Sequence, residues 1–366
     1  MSNKPPIEVP QGAIRLNTDS QKLEFYAQDR WYEMATHSDV FDGSAGRALI
    51  FEGDGSSNKI DVINIDTQGN ATDFGQTHYN NDSVGASGDR TRALVYGGGS
   101  PSATNKIEFY TISIGNAAID FGDLTFTGRQ PGNANNSTRS LMCGGYPSPY
   151  STGNAVNTIC YVTTQSTGNA VDYGDLVTTG EQVMSCSPTR GVGIGGYGIG
   201  GSDPSGGRLA ECQFITTHTL GNASEFSELA EDRNDANGAG SNTRGVFLGG
   251  GTPAGSQTDA ITFVEFASLG NPIDFGNLIQ IGQSHCCTSN KVRAVKTNGS
   301  VPGGSTNRIE FVNIATGGEA VEFGDATYSG ASGAAHCNAQ GGLLWQYLKS
   351  IRSLELALKA QYLKGT

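Results

Sequence analysis

The sequence predicts an all-β chain organised as a six-bladed β-propeller, preceded by a short N-terminal β-meander and followed by a C-terminal α-helix. Three observations carry that expectation. One line, Asn105–Leu124 (NKIEFYTISIGNAAIDFGDL), returns in six variants whose last aromatic falls at Phe74, Phe121, Tyr173, Phe226, Phe275 and Phe323, in steps of 47, 52, 53, 49 and 48 residues. A period near fifty marks an array of supersecondary units. Each unit holds three short apolar runs with room for a fourth, the strand count of a propeller blade. The 53 glycines among 366 residues recur at fixed places beside those runs, so they read as turns and bulges rather than low complexity.

Residues 1–40 are expected to form an unstructured lead and then the meander, a segment for attachment and oligomerisation. Ile14 and Leu16, then Leu23 and Phe25, then Trp31 alternate with polar residues and are expected to share one face, with turns at Asn17–Ser20 and Ala27–Arg30. Three strands this short bury little by themselves, so the segment needs a partner, and Trp31 is assigned to that contact.

Residues 41–342 carry the array. Each unit opens on an arginine (Arg47, Arg92, Arg139, Arg190, Arg244, Arg293) leading an apolar strand that ends in glycine or a small acidic turn. After a Gly/Ser/Pro loop comes a strand that puts Ile107, Phe109 and Thr111 on one face and Glu108 and Tyr110 on the other. A tight turn at Gly115-Asn116 leads to the strand of Asp120 and Phe121, so Ile107, Phe109 and Phe121 are expected in the core. A parallel β-helix competes as a repeat architecture, but its coils are shorter and carry fewer Gly-Gly breaks. Beyond Gly333, AAHCNAQGGLLW keeps the spacing of the apolar strand without its arginine, a partial seventh unit of the kind that ring closure needs.

In residues 343–366 the period becomes helical. Leu344, Tyr347, Ile351, Leu354 and Leu358 step by 3, 4, 3 and 4, which predicts an amphipathic helix with an oligomerisation seam. Docking of the helix on the acidic body is the alternative, since Lys349, Arg352, Lys359 and Lys364 make it basic.

Two charges recur in register. The arginines, Arg92, Arg139, Arg190 and Arg244 among them, are expected to pair with the carboxylates Asp120, Asp172 and Asp274 and their equivalents Asp73, Glu225 and Glu322, within a unit or between neighbours. The competing reading is a ring of carboxylates around a channel cation. Enzyme chemistry finds little support. The five histidines, His37, His78, His218, His285 and His336, show no metal-ligand spacing; His285 and Cys286 would point to opposite faces of a strand; Gly195–Arg208 lacks the Lys-Ser/Thr ending and helix of a phosphate loop. No catalytic residue, metal site or cofactor is assigned. A formal charge of −12 argues against a nucleic-acid partner. The first residues lack an apolar leader and no stretch is long enough to span a membrane, so neither secretion by the usual signal nor membrane insertion is expected. Seven cysteines without CxxC spacing predict no disulfide framework and assembly in a reducing cytosol.

The diglycine that closes the apolar strands (Gly97-Gly98, Gly144-Gly145, Gly195-Gly196, Gly249-Gly250) resembles the kelch repeat, although the two tryptophans, Trp31 and Trp345, lie outside or at the edge of the array. Gly12-AIRLNT, Lys22-LEFY and Trp31 resemble a segment common in bacteriophage tail-fibre and related virion proteins, with Leu16 where Tyr is usual. The Gly-Asn-Ala-x-Asp-Phe-Gly-Asp-Leu line is similar to propeller repeats of tailed-phage virion proteins. The resemblances imply a non-enzymatic fibre or appendage component assembled in the host cytoplasm, commonly trimeric, joined to other virion proteins by its N-terminus and binding a host-surface glycan through its propeller. Loop residues Tyr146, Tyr150 and Tyr197 are the candidate contacts. A virion enzyme that degrades polysaccharide and a purely structural decoration or collar protein are the alternatives.

Overall fold

The computed structural model describes residues 9–17, 22–33, 46–53, 57–80, 82–99, 102–115, 117–149, 154–200, 203–253 and 255–340. Tyr150, Asn116 of the expected turn and the expected helix over 343–366, with Leu344, Tyr347, Ile351, Leu354 and Leu358, lie outside the described residues. The chain divides into two units, Met1–Ala45 and Gly46–Thr366.

The first unit is an antiparallel meander of β1 (Ile14–Asn17), β2 (Lys22–Ala27) and β3 (Arg30–Glu33). Its register corrects one expectation. Ile14 opposes Phe25, and Phe25 opposes and stacks on Tyr32, whereas Trp31 opposes Tyr26 on the other face with Arg15 over its ring at 4.1 Å. Trp31 therefore does not share the face of Ile14 and Phe25: the β2–β3 turn sets Tyr32, not Trp31, beside Phe25, and a shift of one residue changes the face.

In the second unit the described residues form six antiparallel meanders, each running from a short innermost strand to an outer edge strand. The second sheet is β7 (Gly85–Gly88), β8 (Arg92–Tyr96), β9 (Thr104–Thr111) and β10 (Ile119–Arg129). The third is β11 (Gly132–Asn135), β12 (Arg139–Pro147), β13 (Val156–Thr163) and β14 (Val171–Asp175), joined to the second where Gly128 and Arg129 pair with Pro147 and Tyr146. The fourth is β15 (Glu181–Cys186), β16 (Arg190–Gly200), β17 (Asp203–Thr216) and β18 (Ser224–Arg233). The fifth is β19 (Asn237–Gly240), β20 (Arg244–Gly251), β21 (Gln257–Glu265) and β22 (Ile273–Gly282). The sixth is β23 (Cys286–Ser289), β24 (Arg293–Thr297), β26 (Gly304–Asn313) and β27 (Val321–Gly330), with β25 (Ser300–Val301) folded on β26. The first sheet is completed from far along the chain: β4 (Arg47–Phe51), β5 (Lys59–Asn64) and β6 (Thr72–Gln76) take β28 (Ala334–Cys337) as their innermost strand, Ala334 opposite Phe51 and Cys337 opposite Ala48.

The innermost strands touch in cyclic order, β7, β11, β15, β19, β23, β28 and β7 again. The core follows that order. Of the six apolar clusters among the described residues, each fills the space between two successive sheets, and one joins the sixth to the first through Val295, Ile309, Phe311 and Phe323 against Ala48, Ile50, Ile63 and Ile65. Sheets covered on both faces bury both sides of their strands. In β9, Ile107 and Phe109 pack with Phe121 toward the third sheet, and Tyr110 packs toward the first.

Candidate functional site

The repeated residues meet at the seams between sheets. Each arginine heads the second strand of its sheet, where the side chain reaches across the third strand. Arg92 stands 4.5 Å over Phe109, Arg139 4.8 Å over Tyr161, Arg190 5.3 Å over Phe214, Arg244 4.8 Å over Phe263 and Arg293 4.7 Å over Phe311. In the first sheet Val62 replaces that aromatic, and Arg47 lies over Phe74 instead. Each ring is in turn edge-on to the aromatic of the outer strand, Phe109 to Phe121 at 6.0 Å for example. The guanidinium then donates to a turn carbonyl of the next sheet: Arg92 to Thr164, Arg139 to His218, Arg190 to Phe266 and Ala267, Arg244 to Ile314 and Ala315, and Arg293 across the sixth-to-first seam to Ile65 and Asp66. The expected pairing of Arg92, Arg139, Arg190 and Arg244 with Asp120, Asp172 and Asp274 is corrected by this geometry. Among the described residues no repeated arginine meets a repeated carboxylate; Arg244 pairs with Glu265, and the repeated carboxylates are exposed on the outer strands. The outward position leaves them solvated, while the rings draw the arginines inward.

The Gly-Asn-Ala line fastens the outer rim. Between the second and third sheets, Gly168 N donates to Phe121 O, Asn169 Oδ1 accepts from Asp123 N, and Ala170 N donates to Asp123 O, at 2.8, 3.0 and 2.8 Å. The same three bonds recur with Gly221, Asn222 and Ala223 on the third sheet, Gly318, Glu319 and Ala320 on the fifth, and Gly69, Asn70 and Ala71 on the sixth. The glycine of the Asp-Phe-Gly element allows this approach: a Cβ on Gly122, at φ +149, would lie 2.4 Å from Gly168 O.

With the repeats absorbed by the seams, the candidate site is a polar cavity of about 70 Å³ at one end of the innermost strands. One residue per sheet, two positions before each inner strand or at its start, surrounds it: Ser83, Gln130, Glu181, Asp235, Ser284 and Ser332. Amides join them in a chain, Gln130 N to Ser83 O, Ser83 N to Ser332 O, Ser332 N to Ser284 O and Ser284 N to Asp235 O, at 2.6–2.9 Å. At Glu181 the pattern changes. Its backbone pairs with Tyr197, so its carboxylate Oε1 takes the place of the carbonyl and accepts from Asp235 N at 3.0 Å. Desolvation in the cavity, and then the Asp235 charge, pushes the Glu181 carboxyl well above the usual carboxylate range; burial raises Asp235 as well, with Arg208 opposing. His285 lines the cavity with Nδ1 3.1 Å from Asn298 O, and burial lowers it to about 3, so it is neutral. Among the described residues no group of three or more His, Cys, Asp or Glu is placed to hold a metal ion.

The surface candidates separate. Tyr146 is 1% exposed and its hydroxyl donates to Tyr197 O, so it is a seam residue rather than a surface contact; Tyr197 itself is half-buried. The strand pairing that carries Gly128 and Arg129 to Pro147 and Tyr146 draws Tyr146 inward. All seven cysteines are buried and unpaired.

Sequence reasoning passed over the ionisable groups that the seams enclose. Lys296 and Glu310, both fully buried, lie 3.5 Å apart, and Glu310 also accepts from Ile279 N. Both Glu52 oxygens are buried, and burial, then Asp61, raises that carboxyl to about 9. The signal was available in the aligned units, as departures from the consensus. Glu52 stands where four units have glycine, and Lys296 where others have Ile50, Val95, Met142 and Phe247.

No family model matches the sequence, and no curated protein matches it. Among solved structures the chain is similar to that of YjhT, with a TM-score of 0.60 over 76% of this chain and 94% of that one at 10% identity, a likeness of fold alone.

Proposed function

We propose that the six sheets form a six-bladed, kelch-like β-propeller and that the chain is a non-enzymatic virion protein of tailed phages, a fibre or appendage component that binds a host-surface glycan. The cyclic order of the innermost strands and the likeness to the YjhT structure support the propeller. One observation carries the binding reading: the repeated arginines, aromatics and Gly-Asn-Ala lines serve the seams, which leaves residue variation to the loops and the cavity rim. Repeated scaffolds with variable loops are built for recognition. Attachment to other virion proteins and trimer formation rest on the N-terminal resemblance, with the exposed Ile14 and Phe25 as a face for subunit contact.

A second reading, polysaccharide cleavage, is favoured by the Glu181–Asp235 pair, since a carboxyl held protonated beside another carboxylate suits a general acid. Against it, a cavity of about 70 Å³ is well below the roughly 300–1,000 Å³ of small-molecule sites, and Glu181 Oε1 already accepts from Asp235 N at 3.0 Å. Incubating the purified chain with surface polysaccharides of candidate host bacteria separates the two. Retention on the polysaccharide with its chain length unchanged is expected; shortening that Glu181→Gln abolishes would overturn the binding reading.

A further inference from the structure

The seam between the fourth and fifth sheets lacks the rim fastening that the seams after the second, third, fifth and sixth sheets carry. Two residues account for it. Ser227 replaces the glycine of the outer strand, and its hydroxyl donates to Asn271 Oδ1 at 2.8 Å, occupying the oxygen that elsewhere receives a strand amide. Pro272 replaces the alanine and has no N–H to give. The turn is also built differently, with Leu269 at φ +51 and its amide bonded to Glu265 O. Among the described residues, no backbone bond joins Gly270 or Pro272 to Phe226 or Glu228.

The result is an open crevice of about 710 Å³ lined by Glu225–Ala230, Asn271 and Pro272. Along it the outer edge of β18 presents Phe226 O, Glu228 N and Glu228 O, an acceptor, a donor and an acceptor that the neighbouring sheet satisfies at the other seams; here Glu228 O accepts instead from Ser227 Oγ of its own strand, at 3.4 Å. An unpaired strand edge is a template for an added strand. The side chains select its charge: Glu225 and Glu228 are exposed there, and among the described residues no basic one lines the crevice.

We propose that this crevice is a docking site for an extended peptide segment of a partner protein bearing lysine or arginine, which adds as a short strand to the edge of β18 while its cations meet Glu225 and Glu228. The proposal is independent of glycan binding by the loops.

The test measures fluorescence anisotropy of a labelled peptide, acetyl-Lys-Val-Lys-Val-Lys-Val-amide, with the full chain. Binding is expected to weaken at least about tenfold when alternate backbone amides of the peptide are N-methylated, which keeps charge and removes strand pairing, and when Glu225→Gln and Glu228→Gln are combined. The decisive variant, Ser227→Gly with Pro272→Ala, restores the residues of the other seams. It is expected to melt no lower than the parent and to bind the peptide at least about tenfold more weakly. Equal binding by parent and restored variant, or by the N-methylated peptide, would overturn the proposal. So would tight binding that emerges only after residues 341–366 are deleted, which would assign the crevice to the chain's own basic segment.

Discussion

Arg139 shows what a repeated charge does in this chain. Its guanidinium stands 4.8 Å over the Tyr161 ring and donates to His218 O at 3.0 Å, so one side chain ties two strands of the third sheet to the β17–β18 turn of the fourth. Asp172, its expected partner if the pair forms within a unit, is solvent-exposed. Replacing Arg139 with Ala is therefore expected to cost about 1–3 kcal/mol in urea unfolding, and Asp172→Ala no more than about 0.5 kcal/mol. Equal losses would restore the charge pair. The importance of the arginine was legible in its recurrence. Its partners were not, because strand alternation gives the face of a side chain and says nothing of what the next sheet presents to it.

At the scale of the strand, the Gly-Asn-Ala segment after each turn and the Asp-Phe-Gly strand are two halves of one fastening, although they lie in different units. Gly122 and Gly75 separate its two costs. Both have φ near +150°, but a Cβ on Gly122 would strike Gly168 O, whereas among the described residues nothing lies within 4 Å of one on Gly75. Gly75→Ala is expected to lose about 1 kcal/mol from backbone strain alone, and Gly122→Ala about 2–4 kcal/mol because the seam must also part. Thermal melting of both variants checks this; equal losses would mean that the seam contributes nothing at that point. The core of Ile107, Phe109 and Phe121 was readable from strand alternation, but the turn lies before Gly-Asn, at Ile112-Ser113, where Ile114 N donates to Thr111 O at 3.2 Å. The bonding of the segment after the turn to the preceding sheet has no local signature, since the two partners are 42 or more residues apart, as in Asn277 and Glu319.

Across the whole molecule, burial of ionisable groups in the seams sets the response to pH. Glu52, raised from 4.5 to about 9, and Glu181, raised well above 4.5, hold their protons more tightly folded than unfolded, so their contribution is complete below about pH 4.5 and is lost as pH rises through the folded values. His285 and His336, lowered from 6.5 to about 3 and about 4, act in the opposite sense: the stability they allow is present above 6.5 and is lost as pH falls. The midpoint of melting is expected to be higher at pH 5 than at pH 8.5 and to fall again toward pH 3, with Glu52→Gln flattening the alkaline side. A midpoint that rises from pH 5 to pH 8.5 would show that Glu52 and Glu181 are not held protonated.

The sequence by itself determined the all-β class, the near-fifty-residue unit, the strand order within each unit and the residues that fill the core, because these follow from local period, side-chain alternation and turn chemistry. It also pointed to the stretch after Gly333 as the piece that completes the array, which β28 supplies to the first sheet. Tertiary structure alone decided that the arginines seek rings and carbonyls rather than carboxylates, that Tyr146 is buried, that Glu181 and Asp235 share a cavity, and that the fourth-to-fifth seam is open at its rim. Each of these depends on what one sheet presents to the next, and that is fixed by packing across the seam rather than by the order of residues within a unit.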